Sequence, residues 1–102
     1  MNNNVNEDNL NILRRIVKNP KASQRELAEN LGFSLGKLNY CLNELKKKGL
    51  LKIHNFKENP NKLNYIYILT PKGLTTKTTL TLNFMKRKMD EYDELKKEMD
   101  AN

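Results

Sequence analysis

The sequence predicts a mainly α fold with a small β-hairpin: a winged helix-turn-helix followed by a long C-terminal dimerisation helix. Three observations lead to this prediction. Two capped amphipathic helices are separated by a Leu-Gly turn, two strand-like runs follow on either side of Asn59-Pro60-Asn61, and a long helical segment of mixed charge closes the chain. This order of elements is typical of a winged helix-turn-helix.

The positive charge is concentrated in the middle of the chain. The 102 residues carry a net charge of +7. Residues 34–73 hold eight basic and two acidic side chains, a net of +6, whereas residues 74–102 are neutral. A basic protein favours an anionic partner, either nucleic acid or an acidic membrane surface. Because the charge coincides with the second half of the helix-turn-helix unit, double-stranded DNA is the favoured partner.

The first helix is predicted from about Glu7 to Lys18. Asn19-Pro20 ends it, since the residue before a proline avoids the helical region, and Lys21-Ala22 forms a short extended link. The first eight or so residues are polar and are expected to be frayed. Apolar residues recur along this helix at helical spacing: Leu10, Ile12, Leu13, Ile16 and Val17.

The next two helices form the helix-turn-helix. Ser23 and Glu26 make a capping box at the start of the second helix, and Gly32 ends it in the left-handed conformation. Ser34 caps the third helix and Gly49 stops it. Four leucines at 3-4-3 spacing predict a single apolar stripe on the third helix: Leu35, Leu38, Leu42 and Leu45.

The hairpin is predicted from Leu50 to Phe56 and from Leu63 to Leu69, with a wing loop of several residues over 56–63. Thr70 then caps the last helix, with Pro71 at its first helical position. The chain is thus divided into a DNA-binding domain, 1–73, and a C-terminal helix, 74–102.

The C-terminal helix carries a heptad-like apolar seam. A helix of about 30 residues extends roughly 45 Å, more than a small domain needs. We therefore expect it to pair with a second copy in a homodimer; folding back onto its own domain is the alternative. The seam consists of Leu82, Met85, Met89, Tyr92 and Met99.

The face of the third helix (34–48) opposite the leucine stripe is the candidate reading surface. Asn pairs with adenine, Tyr contacts phosphate or a thymine methyl, Lys approaches guanine or the backbone, and glycine allows close approach to a base pair. The other interpretation is an ordinary solvated helix face. The candidate DNA-binding residues are Ser34, Gly36, Lys37, Asn39, Tyr40, Asn43 and Lys47, with Lys57 and Lys62 at the wing.

Other site classes lack support in the sequence. The single cysteine, Cys41, lies at the edge of the leucine stripe, where a small apolar role is more typical than redox sensing. His54 has no neighbouring ligand or catalytic partner. We expect no enzyme activity, metal or cofactor. The polar N-terminus does not resemble a signal peptide, and no apolar run could span a bilayer. A cytoplasmic, nucleoid-associated protein is expected.

Three segments resemble the MarR family of bacterial winged-helix regulators: Ser23–Ala28, Lys48-Gly49-Leu50 and Leu69–Gly73. The last of these segments, combined with Asn59–Leu63 and Phe84–Met89, is similar to the small exopolysaccharide (EPS)-associated members, and the match covers nearly the whole chain. The resemblance implies a dimeric, site-specific transcription factor linked to polysaccharide genes. It also implies that five residues of the third helix occupy base-reading positions: Ser34, Lys37, Asn39, Tyr40 and Asn43.

The sequence departs from typical MarR proteins in three ways. The wing has Asn-Pro-Asn-Lys instead of an Asp-x-Arg motif, Tyr40 stands where arginine is frequent, and one helix follows the wing. The short N-terminal extension argues against a small-molecule effector pocket and for a dimer that depends on the last helix alone. A protein-interaction module that binds an acidic partner through the same face is the alternative function.

Overall fold

A computed structural model describes the backbone of residues 3–59 and 62–101 and the side chains of residues 6–55 and 65–101. The predicted fold class is confirmed: helices enclose a core, with a two-stranded antiparallel hairpin and a long last helix. In chain order the elements are α1 (Asn3–Lys18), α2 (Gln24–Leu31), α3 (Leu35–Lys47), β1 (Leu51–Asn59), β2 (Lys62–Leu69) and α4 (Pro71–Asp100).

Helix α1 begins four residues earlier than predicted, at Asn3 instead of Glu7. The expectation of a frayed start was therefore wrong for residues 3–6. The added turn carries no apolar repeat, and apolar periodicity could not reveal it. Most of the predicted apolar face is buried, but Val17 is half exposed. The buried residues of α1 are Leu10, Ile12, Leu13 and Ile16.

The predicted caps are present. The Ser23 hydroxyl oxygen accepts a hydrogen bond from the Glu26 N–H at 3.0 Å, and Gly32 has a φ of 71° in the left-handed region. The Ser34 hydroxyl oxygen accepts from the Lys37 N–H at 3.1 Å, which fixes the start of α3. Each serine satisfies an amide that lacks a partner within its helix, and the Gly32 N–H donates to the Glu29 carbonyl at the end of α2.

The leucine stripe of α3 lies in the core, with one correction. Leu38, Leu42 and Leu45 are buried, whereas Leu35 is 44% exposed. Leu35 occupies the first turn of α3, where the helix begins and fewer elements surround it. Tyr67 of β2 also enters the core. Its backbone N–H donates to the Pro20 carbonyl at 3.0 Å, which ties the link after α1 to the sheet.

The hairpin is longer than predicted and its loop is shorter. β1 continues to Asn59 and β2 begins at Lys62, with the pairing running from Leu51↔Leu69 to Asn59↔Lys62 and an irregularity between Lys57 and Asn59. The prediction of a loop of several residues was wrong. Polar residues at the tip lack the alternation of apolar and polar side chains that indicates a strand. Backbone hydrogen bonds between the strands do not need that alternation, and they continue beyond the core.

The start of α4 is joined to the turn that ends α3. The Thr70 N–H donates to the Leu50 carbonyl at 3.1 Å, and the Thr70 hydroxyl donates to the Gly49 carbonyl at 2.6 Å. Gly49 has a φ of 74° in that turn. Lys72 Nζ also donates to the Lys48 carbonyl at 3.1 Å. These bonds fix the direction in which α4 leaves the domain.

Helix α4 is a 30-residue helix that packs on α1 and β2 through its first half. It extends about 45 Å at 1.5 Å per residue, and the longest dimension of the molecule is 66 Å. Among the described residues, no helix combines the length and apolar character needed to cross a membrane.

Candidate nucleic-acid interface

Helix α3 presents the predicted reading face to solvent. Burial of Leu38 and Leu42 turns the opposite side outward, so Gly36, Tyr40 and Asn43 are all exposed. The Tyr40 side chain is 68% exposed although it is a large aromatic. These residues recur at helical spacing and therefore form one strip along the helix. The strip carries no formal charge and has donors and acceptors suited to base edges.

Ser34 and Asn39 lie at the borders of this strip, and both are exposed. The Ser34 oxygen already accepts the amide hydrogen of Lys37. Its hydroxyl hydrogen is left to donate, and a phosphate oxygen is a suitable acceptor for it. Asn39 precedes Tyr40 on the side of the helix away from the core.

Lys37 differs from the other candidates because its ammonium is engaged within the protein. Lys37 Nζ lies 3.0 Å from Asp8 Oδ2 of α1. The same nitrogen lies 4.1 Å from the centroid of the Phe33 ring, in a cation–π arrangement. The sequence could not reveal this pair, since its members are 29 positions apart and belong to different elements.

The half-buried Cys41 lies close to the same charges. Burial raises the pKa of the Cys41 thiol, the negative charge of Asp8 raises this pKa further, and the positive charge of Lys37 lowers it. The thiol is therefore less reactive than an ordinary free thiol at neutral pH. This agrees with the interpretation of Cys41 as a small apolar residue.

The lysines at the C-terminal end of α3 form a basic perimeter around the uncharged strip. Lys47 is exposed, and its ion pair among the described residues is a long 3.7 Å contact to Glu44, one turn away. An exposed pair of this kind is worth little, about 0.3–0.5 kcal/mol, so Lys47 is available to another anion. Lys46 and Lys48 are exposed beside it.

The two wing lysines lie in the strands of the hairpin. Lys57 pairs with Leu63 across the ladder, and Lys62 pairs with Asn59. Both backbones are therefore close to the tip, where the prediction placed them. Their side chains lie outside the described residues, and their contact with DNA stays a prediction.

The predicted seam of α4 is exposed along its whole length. Its five residues have exposed fractions between 52% and 70%. The prediction missed Leu74 and Leu95, which are also exposed and lie on the same side of the helix at 100° per residue. Leu95 was missed because Lys96 occupies the heptad position beside it, and Leu74 because threonines surround it. Several large apolar side chains exposed on one side of a helix indicate an interaction site.

A cleft of about 400 Å³ lies between α1 and α4. Asn83, Arg87 and Asp90 of α4 face Asn6 and Leu10 of α1 across it. Most of these side chains are polar, whereas small-molecule sites are predominantly apolar. The expectation that the chain lacks an effector pocket stays a prediction.

Part of the chain is similar to a family of DNA-binding domains. Residues 9–52 match the family described as winged helix-turn-helix DNA-binding. This match includes the second part of α1, the helix-turn-helix and the start of β1. The match extends over 44 of the 102 residues, and the fold of the chain is that of a winged helix-turn-helix. A comparison with curated protein sequences gives no match.

Three solved structures with a similar fold are described as transcription regulators. The repressor CouR, bound to a 23-mer DNA duplex, is 26% identical with a TM-score of 0.70, over 90% of this chain and 65% of CouR. The PcaV regulator from Streptomyces coelicolor is 18% identical with a TM-score of 0.67, over 92% of this chain and 76% of PcaV. A MarR family transcription regulator, SP03579, is 23% identical with a TM-score of 0.66, over 85% of this chain and 56% of that protein. The overall fold is thus that of MarR-type regulators.

Proposed function

We propose that this protein is a homodimeric, sequence-specific transcription regulator of the MarR type that places α3 in the major groove of double-stranded DNA. The observation that carries the proposal is the exposed, uncharged strip of Gly36, Tyr40 and Asn43 on a helix whose other face is fixed in the core. An α-helix fits the major groove, and the second helix of a helix-turn-helix enters it.

The proposed interface separates sequence reading from affinity. Asn39, Tyr40 and Asn43 contact base edges, and Gly36 permits close approach. Lys47 at the end of α3, with Lys57 and Lys62 of the wing, contacts phosphates. Phosphate contacts do not depend on sequence and make affinity fall with salt, with a slope of about −0.9 for each contact in a plot of log K against log salt concentration.

The proposal assigns residues 1–73 to DNA binding and residues 74–102 to dimerisation. Pairing of the α4 seam with a second copy covers the exposed Leu82, Met85 and Met89 at once. Two copies related by a two-fold axis present two α3 helices. They then read pseudo-palindromic half-sites separated by about one helical turn, roughly 34–36 Å.

The relatives support DNA as the partner. CouR is solved on a DNA duplex, and FabT of Streptococcus pneumoniae is solved in complex with DNA. The resemblance to EPS-associated regulators suggests polysaccharide genes as the regulated set. A regulator of chromosomal genes acts in the cytoplasm, at the nucleoid. Selecting bound fragments from genomic DNA tests this choice of genes directly.

The DNA proposal is tested by salt-titrated binding to duplexes. Tyr40→Ala and Asn43→Ala are expected to reduce the preference for a selected site over random sequence by about 1–3 kcal/mol each. Lys62→Ala is expected to weaken binding to all duplexes alike and to make the salt slope about 0.9 shallower. Lys97→Ala, on the charge-mixed end of α4 far from α3, is the matched control and should change neither quantity. Absence of duplex binding by the unmodified protein at low salt would refute the proposal and favour the acidic-partner alternative.

The dimer is tested on the full chain by light scattering. Met89→Lys places a charge in the middle of the seam and is expected to shift the mass toward the monomer, because burying an unpaired charge is costly. Glu94→Lys, on the opposite side of α4 by its helical position, is the control and should leave the mass unchanged. A dimer unaffected by Met89→Lys would show that the seam is not the interface.

A further inference from the structure

The ammonium of Lys37 is held by two groups, neither of which belongs to the uncharged strip of Gly36, Tyr40 and Asn43. Asp8 of α1 contributes a carboxylate oxygen at 3.0 Å, and the Phe33 ring faces the ammonium at 4.1 Å. The positive charge of one lysine in the candidate interface is therefore paired with a carboxylate of the protein itself.

We propose that Asp8 is a positioning residue that competes with DNA phosphate for Lys37 and thereby limits the affinity of the protein for DNA. This inference rests on the proposed function, since it concerns the same face of α3. It adds to that function a residue of α1 that lies outside the helix-turn-helix.

The position of Lys37 on α3 supports competition. Lys37 is the third residue of α3 and therefore lies in its first turn. The N-terminal turns of the second helix are the part that faces DNA in a helix-turn-helix. Its flexible side chain ends in a compact charge that can bind either a carboxylate or a phosphate. While the ammonium binds Asp8, it cannot also release a counterion from the DNA backbone.

The exposure of the pair indicates that it can exchange. The side chains of Lys37 and Asp8 are 48% and 25% exposed. Exposed ion pairs contribute up to about 1 kcal/mol, which corresponds to about a fivefold change in an equilibrium constant. Asp8 can therefore reduce DNA affinity by a measurable factor without holding Lys37 permanently.

A purely structural role of the pair predicts different behaviour. If the contact only fastens α1 to α3, loss of the Asp8 charge would lower stability and leave the salt dependence of DNA binding unchanged. The salt slope counts phosphate contacts, and it therefore distinguishes the two roles.

The test is a double-mutant cycle on the full-length protein, with a random-sequence duplex of about three helical turns as the probe and salt varied from about 50 to 200 mM. Asp8→Asn is expected to tighten binding about two- to fivefold and to steepen the slope by up to about 0.9. Asp8→Glu keeps the charge and should behave like the unmodified protein. Glu7→Gln removes a charge from the neighbouring position of α1 and should leave the slope unchanged.

The same Asp8→Asn change is then made in a Lys37→Ala background, where competition predicts no tightening and no change of slope. An equal tightening in both backgrounds would show a general charge effect and overturn the inference. An unchanged slope in Asp8→Asn, with thermal unfolding confirming a folded protein, would overturn it in favour of a structural contact. Failure of the unmodified protein to bind duplex at low salt would instead refute the proposed function, and the inference with it.

Discussion

Gly73→Ala tests the junction that joins the recognition helix to α4. Gly73 is buried in the first turn of α4, against the backbone of Leu50 in the turn after α3. A Cβ at this position would overlap the Leu50 carbonyl oxygen and would lie 3.0 Å from its carbonyl carbon. The Leu50 carbonyl oxygen also accepts the Thr70 N–H, so it cannot move away without losing that hydrogen bond.

The magnitude follows from two opposing effects. Forcing an extra methyl group into a packed site costs about 1–3 kcal/mol, and a backbone neighbour that cannot rotate away favours the upper end. Alanine gains up to about 1 kcal/mol over glycine in a helix. The net expected loss is about 2 kcal/mol in the free energy of unfolding, or roughly 10 °C in Tm for a chain of this size.

The assay is chemical and thermal unfolding monitored by circular dichroism, with Gly36→Ala as the matched control. Gly36 lies in the first turn of α3, and among the described residues no neighbouring atom lies within 4 Å of the position that an alanine methyl group would take there. Gly36→Ala is therefore expected to raise stability by about 0.5–1 kcal/mol through helix propensity. The same variant should bind DNA less tightly if Gly36 approaches a base pair.

A Gly73→Ala variant whose free energy of unfolding equals or exceeds that of the unmodified protein would refute this expectation. That result would mean that α4 is not seated against the Leu50 carbonyl. A loss of the same size in Gly36→Ala would show that the lost stability does not come from the clash with Leu50, because a methyl group at Gly36 meets no such neighbour among the described residues.

Three further predictions concern single side chains. The buried Tyr67 hydroxyl makes no well-formed hydrogen bond among the described residues. Tyr67→Phe should therefore leave the free energy of unfolding unchanged or raise it by up to about 1 kcal/mol. A loss above about 1 kcal/mol in urea unfolding would contradict this. Ser34→Ala removes the cap on the Lys37 N–H and should cost about 1 kcal/mol; an unchanged denaturation midpoint would show that the cap contributes little. Because its pKa is raised, the Cys41 thiol should react with iodoacetamide more slowly than a free cysteine at about pH 8. Asp8→Asn should speed this reaction, since it removes a negative charge that raises the pKa of the thiol. A rate equal to that of free cysteine would refute the first expectation.

Local sequence signals predicted the elements of the helix-turn-helix well. Ser23, Ser34 and Thr70 act as caps within a few positions of the amides they satisfy, and Gly32 adopts the left-handed conformation next to the helix it ends. Such interactions involve neighbours in the chain, and for this reason the residue types reveal them. The buried leucines of α3 follow from helical periodicity in the same way.

The errors occurred where distant parts of the chain determine the result. Leu35 fits the stripe by spacing, but only the arrangement of the surrounding helices leaves it exposed. The polar hairpin tip was assigned to a loop because its residues lack alternation, whereas ladder hydrogen bonds carried β1 on to Asn59. The early start of α1 at Asn3 has no apolar repeat to indicate it.

The sequence by itself determined the order of elements, the caps, the exposed composition of α3 and the apolar seam of α4, because each depends on residues close together in the chain. The tertiary structure alone decided how these parts are joined. In it, Gly73 packs against the Leu50 carbonyl and Asp8 forms an ion pair with Lys37. Contacts of this kind depend on how α1, α3 and α4 pack in space, and neither periodicity nor charge counting specifies that packing.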